Sequence, residues 1–208
     1  MPADSFTSMV PRAFFCDSDV VSLAQKLIGC TLWTRSEAGL SAGMIVETEA
    51  YDGLVDRACH AYGGRKTDRT RIFYQPGGVL YTYLCYGIHT LSNIITGPEN
   101  SPQAILIRAV QPVHGIDLIL KRRNHAQVKR NTAAGPGLVS QALGITRKDN
   151  GASVCGPRLW LTYPEEHRFY LAEELIASPR VGIGYAGPDA LLPWRFRLKG
   201  SSWCSPAK

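Results

Sequence analysis

Several signals are missing from this 208-residue chain. No apolar run approaches the roughly 18 residues that would cross a bilayer. The N-terminus has no basic start followed by an apolar stretch of the secretory kind. Of six cysteines (Cys16, Cys30, Cys59, Cys85, Cys155 and Cys204), no two form a C-x-x-C pair. That spacing leaves no readable zinc ribbon or iron–sulfur loop, and the thiols are expected to be free. No G-x-x-x-x-G-K, G-x-S-x-G or H-E-x-x-H is present, and there is no internal repeat or low-complexity stretch. The expectation is a soluble protein without cofactor or metal, not associated with membranes, flexible only at residues 1–10 and 204–208.

What is present suits one folded domain over residues 1–208: 45% of the residues are hydrophobic and 19% charged, as in soluble globular chains. Lys and Arg number 23 against 17 Asp and Glu, a net charge of +6 that fits a polyanionic partner. The cations cluster. Arg65, Lys66, Arg69 and Arg71 surround Asp68, and Lys121, Arg122, Arg123, Lys129 and Arg130 occupy an acid-free stretch. Charge alone fits a solvated face as well as a phosphate-binding one.

Asp17 is the expected N-cap of a helix whose apolar positions Val20, Leu23, Ala24, Leu27 and Ile28 follow helical spacing up to Gly29. Residues 31–35, 44–51, 79–86 and 104–110 read as strands. Helices are expected over 115–124, over 137–143 behind Gly135-Pro136, and over 171–177, with strands at 181–185 and 194–198. This order is neither a regular β-α alternation nor an array, so the class is α+β. A formal G-x-G-x-x-G, Gly182 to Gly187, is rejected as a dinucleotide site: Pro188 follows it and too little chain remains for a βαβ unit.

The most informative segment is Ile45-Val46-Glu47-Thr48-Glu49-Ala50-Tyr51, where two carboxylates interrupt a good strand. Period two puts Glu47, Glu49 and Tyr51 on one face. That face is either solvated or, if partly buried, holds a general base. Ahead lie Tyr81, Tyr83 and Tyr86, with Tyr86-Gly87 at a predicted hairpin tip. Aromatics on strands are ordinarily core, yet aromatics interleaved with basic clusters are what a nucleic-acid surface needs, since rings stack on bases while cations hold phosphates.

These residues resemble the alkyladenine (3-methyladenine, methylpurine) DNA glycosylases. The likeness runs collinearly through Leu27-Ile28-Gly29, Val46-Glu47-Thr48-Glu49-Ala50-Tyr51, His60, Gly63-Gly64-Arg65, Leu80-Tyr81-x-Tyr83-x-x-Tyr86-Gly87, Asn93 and Leu106-Ile107-Arg108-Ala109. It continues in Gly135-Pro136, Gln141-Ala142-Leu143, Arg180-Val181-Gly182-x-Gly184-x-Ala186-Gly187 and Gly200-Ser201-x-Trp203.

The resemblance implies a single α+β domain with a curved antiparallel sheet flanked by helices, distinct from helix-hairpin-helix glycosylases. It implies a monofunctional base-excision repair enzyme acting on damaged purines in double-stranded DNA, a monomer, cytoplasmic or nucleoid-associated (nuclear in a eukaryote). Its substrates would be 3-methyladenine and 7-methylguanine, with hypoxanthine and ethenoadenine as neutral cases needing a proton donor. By the same resemblance Glu49 activates water, helped by Arg108 and the Val181 carbonyl. Tyr51, His60 and Tyr83 wall the base pocket, Asn93 floors it, and Tyr86 fills the vacated stack. Arg65, Lys66, Arg69 and Arg71 are expected on phosphates. Phe73 and His89 depart from the family pattern, which implies a different DNA-contacting rim. A non-catalytic nucleic-acid binding module is the alternative, but phosphate binding has no use for a buried Glu49. A lyase would need a lysine nucleophile, and none falls in the matched site blocks.

Overall fold

The fold grows from one long strand. In this computed structural model, which describes residues 9–164 and 168–205, β1 (Thr31–Ser36) turns into β2 (Gly39–Asp52). The hairpin closes on the pair Ser36 and Gly39, where a φ of 122° is open to glycine without cost. One edge of β2 pairs with β1 as far as Met44 and then, from Glu47 to Glu49, with β8 (Arg195–Leu198). Its other edge pairs with β5 (Gln103–His114) over nearly its whole length, with register shifts around Ile45–Thr48 that bend the strand where the acids sit.

The antiparallel sheet has eight strands. Its main path runs β3 (Val79–Cys85), β4 (His89–Thr96), β5, β2, β1 and β6 (Leu159–Thr162), and β8 joins β2 to β7 (Leu175–Ser178). With three α-helices among the described residues, this is a single-domain α+β fold, as expected. Helix α1 (Val20–Lys26) lies against β2, where Thr48 Oγ1 donates to the Ala24 carbonyl at 2.8 Å. Helix α3 (Pro136–Leu143) sends Val139, Ala142 and Leu143 into the same apolar core. Helix α2 (Ile116–Arg123) packs beside α3. A second, smaller core forms beneath the segment 53–78, from Cys59, Ala61, Ile72, Phe73 and Tyr81 with Tyr51 and Tyr83 at its margin. The acids of β2 and the tyrosines of β3 meet near this second core.

Several local expectations change. The cap of α1 is Asp19, whose side chain accepts from the Val21 and Ser22 amides, whereas Asp17 accepts from the Asp19 amide two residues too early. Residues 171–177 do not form a helix: a short 3-10 turn, Ala172–Glu174, leads into β7, whose pairing with β8 outweighs helical propensity. Residues 181–185 are not a strand either, because Gly182 at φ 75° turns the chain into a 3-10 run, Gly184–Leu191. Strands β4 and β6 have no counterpart among the expected elements. At the ends, Val10 is buried and its amide donates to the Leu161 carbonyl, while Cys204 and Ser205 pack beside β2. The rest of the expected flexible ends, residues 1–8 and 206–208, lies outside the described residues. All six cysteines are free thiols, and no helix among the described residues is long and apolar enough to cross a membrane.

Candidate active site

Glu47, Glu49 and Tyr51 do share a face, but it is not solvated: both carboxylates are fully buried. Their surroundings assign them different work. Glu47 accepts from Arg108 Nε at 2.8 Å, Arg195 Nε at 2.7 Å, and the Ser205 amide and hydroxyl at 2.6 and 2.7 Å. Three of these four donors converge on Oε1 and one on Oε2, so Glu47 is committed to holding the fold. Burial pushes its pKa up, but Arg108, Ser205 and Arg195 together outweigh that and hold it below the ordinary carboxylate range. Glu47 ties the C-terminal segment to the underside of the site.

Glu49 keeps a place open. Its Oε2 accepts from the Tyr51 hydroxyl at 2.7 Å, and its Oε1 accepts from the Val181 amide at 2.8 Å and faces Arg108 Nη1 at 3.3 Å. Three donors leave one of about four acceptor positions unused. Tyr51, Arg108 and Val181 all line a cavity of about 450 Å³, within the size range of small-molecule sites. Val181 thus meets Glu49 through its N–H. Tyr51 loses its proton only well above the usual range, because it is buried and because it faces Glu49. It therefore stays a donor.

The cavity walls are aromatic. His60, Phe73, Tyr81 and Tyr83 line one side, and Tyr51 with Val181, Gly182 and Ile183 lines another. Tyr81 and Tyr83 stack at 5.6 Å, and His60 meets Tyr83 edge-on at 4.7 Å. His60 Nδ1 lies 2.9 Å from the Tyr81 hydroxyl. Burial, and then the charge of Arg69, push the His60 pKa down to about 4, so its imidazole is neutral at physiological pH. Asn93 also lines the cavity and donates to its cross-strand neighbour, the Tyr81 carbonyl, at 3.3 Å. Phe73 is buried against Tyr81, so the departure at this position alters the pocket wall rather than an exposed rim.

At the mouth stands Tyr86, 90% exposed, on the turn between β3 and β4. Its φ is 51° and that of Gly87 is 75°, the paired positive values of a type I′ turn. A bulky residue held in this conformation and exposed to water is a site of strain that folding alone does not require. Arg65, Lys66, Arg69 and Arg71 are all exposed, and Arg65 and Arg69 line a groove that shares Ala58, Cys59, His60 and Tyr185 with the cavity. Lys66 lies over the Tyr74 ring at 4.9 Å, and Arg69 turns back toward the cavity wall. The second basic cluster is largely committed to the fold: Arg122 donates to Ser41 and the Ala142 carbonyl, Arg123 to the Thr132 carbonyl and Gln141, and Arg130 to the Cys204 carbonyl.

Sequence reasoning assigned no role to Tyr81, Asp56 or Arg180. Arg180 is buried, forms two bonds to Asp56 at 2.5 and 2.8 Å, and sits between the Tyr51 and Trp194 rings at 4.7 and 5.3 Å. It fixes the ring that holds Glu49. The only hint was its place beside Val181 in a matched block.

A buried carboxylate behind an aromatic cavity, a ring on a hairpin tip beside it and basic side chains nearby, all on an open antiparallel sheet, suit the hydrolysis of an N-glycosyl bond in DNA. Known proteins agree. The model of the family described as methylpurine-DNA glycosylase (MPG) matches residues 14–202. Three similar proteins bear the name "Putative 3-methyladenine DNA glycosylase". That of Chlamydia pneumoniae is 44% identical over 91% of this chain and 95% of its own. That of Chlamydia felis is 42% identical over 91% and 96%, and that of Bacillus licheniformis 41% over 92% and 94%. The chain belongs to the methylpurine-DNA glycosylase family.

Proposed function

We propose that this protein is a monofunctional glycosylase that turns an alkylated or deaminated purine out of duplex DNA and hydrolyses its N-glycosidic bond with a water activated by Glu49. The observation that carries this reading is the unsaturated Glu49 carboxylate, held by three residues that themselves line the cavity. A water taking the fourth acceptor position gives its proton to Glu49 as its oxygen bonds to the sugar C1′. The electron pair of the breaking bond leaves with the base. Arg108 and the Val181 carbonyl hold that water in place. Cationic purines such as 3-methyladenine and 7-methylguanine are good leaving groups and are drawn to aromatic faces; stabilising an oxocarbenium-like sugar is then the main task left to the protein.

Tyr86 fills the space the base leaves, offsetting part of the few kcal/mol that extrusion costs. Arg65, Lys66 and Arg71 hold phosphates, while Arg69 turns to the cavity wall. Among the described residues no lysine lines the cavity, which supports hydrolysis without a Schiff base. The buried Glu49 speaks against a simple binding module. The test is incubation with duplexes that each carry one defined lesion. Abasic sites in unbroken strands support the proposal, whereas intact lesions or direct strand cleavage refute it.

A further inference from the structure

The cavity has two aromatic walls, and a guanidinium stands behind each. Behind Tyr51 stands Arg180, whose charge is neutralised by its two-point pairing with buried Asp56. Behind Tyr83 stands Arg69, its guanidinium carbon 5.3 Å from the ring centroid. Arg69 lines the neighbouring groove of about 380 Å³ and not the cavity itself, so it acts through the wall. Its Nε donates to the Tyr81 hydroxyl at 3.1 Å, and its Nη2 lies 3.3 and 3.2 Å from the two ring nitrogens of His60. These partners are neutral. Among the described residues no carboxylate is within 4.0 Å of it, although other arginines form such pairs.

We propose that Arg69 is a specificity-determining residue that lowers the site's preference for cationic bases and so keeps it open to neutral ones. The inference rests on the base pocket proposed above. A cation stacked on Tyr83 is attracted by the ring's negative face, but the same ring already faces Arg69, a solvent-exposed cation with no carboxylate partner among the described residues, and the two charges repel, screened in part by water. A neutral purine stacks on Tyr83 without that penalty. Arg180 imposes no comparable bias, because Asp56 cancels its charge.

The test compares single-turnover excision of 7-methylguanine, a cation, and hypoxanthine, a neutral base, from duplexes of one sequence. Arg69→Gln should raise the rate ratio of 7-methylguanine to hypoxanthine about threefold to tenfold. Arg69→Lys, which keeps the charge and loses the planar fork, should stay near the parent ratio. A purely structural role would slow both reactions alike and move Gln and Lys together, which would overturn the proposal. A parent that removes 7-methylguanine but spares hypoxanthine would also overturn it, since the site would not be open to neutral bases. A parent that leaves both lesions intact would remove the pocket assignment itself, a distinct failure.

Discussion

Replacing Tyr86 with glycine should leave the fold as firm as before while weakening the enzyme. The ring is 90% exposed, so about a tenth of its roughly 200 Å² is protected, and at about 25 cal/mol per Å² the lost burial costs roughly 0.5 kcal/mol. Against that, the parent holds a tyrosine at φ 51°, a left-handed conformation costing roughly 1–2 kcal/mol that glycine avoids, though glycine gives back part of the gain through the entropy of the unfolded chain. The net change is between about zero and 1 kcal/mol of stabilisation, which for a chain of this size moves Tm upward by no more than about 4 °C. A truncated core aromatic would instead cost about 3 to 5 kcal/mol. Thermal unfolding reads this half of the prediction. A fluorescent base analogue beside the lesion reads the other: extrusion should decline, with excision slowed most where the lesion is well paired. A fall in Tm of about 6 °C or more, or extrusion and excision equal to the parent's, would refute the reasoning and move the wedge to Ile88 or His89.

The remaining predictions concern charge. Glu47→Gln should cost about 3 to 5 kcal/mol in denaturant unfolding, because it leaves Arg108 and Arg195 buried without their shared anion; loss below about 1 kcal/mol would contradict the network. Since the folded-state pKa of Glu47 is depressed, its contribution is present above the ordinary carboxylate range and is lost as pH falls through the folded pKa. His60, neutral in the fold until about pH 4 and titrating near 6.5 when unfolded, should make stability decline already from pH 6.5 downward, and a His60→Gln variant should flatten that part of the curve. Neutralising Arg65 or Arg71 should lower the slope of log affinity against log salt by about 0.9 each, whereas Arg123→Gln, which removes bonds to the Thr132 carbonyl and Gln141, should reduce Tm and leave the slope unchanged.

Strands with a clean alternation are legible in the amino-acid pattern itself, and so is the face shared by Glu47, Glu49 and Tyr51. Strand β4 is not, because Ser92 and Asn93 break its apolar pattern yet are buried, Ser92 against Ser140 at 2.7 Å and Asn93 against Tyr81. The division of labour between the two glutamates cannot be read locally either. It depends on Arg195 and Ser205, about 150 residues further along the chain, and no spacing rule links groups that far apart. The Asp56–Arg180 pair, 124 residues apart, escapes for the same reason. Family resemblance supplied the expectations for Glu49, Arg108, Val181 and Tyr86; composition and periodicity alone would have left the acids on a solvated face.

The central claim is that Glu49 activates the hydrolytic water, and the most direct measurement is single-turnover excision by Glu49→Gln. Glutamine can still accept from the Val181 amide and donate to the Tyr51 oxygen in place of the carboxylate contacts, so the variant should fold and bind lesion-containing duplex as the parent does. It cannot take a proton from water. Excision of 7-methylguanine at pH 7 should therefore fall by about a hundredfold or more, with Tm and DNA affinity near the parent's. An excision rate equal to the parent's in a folded, DNA-bound Glu49→Gln protein would contradict the assignment.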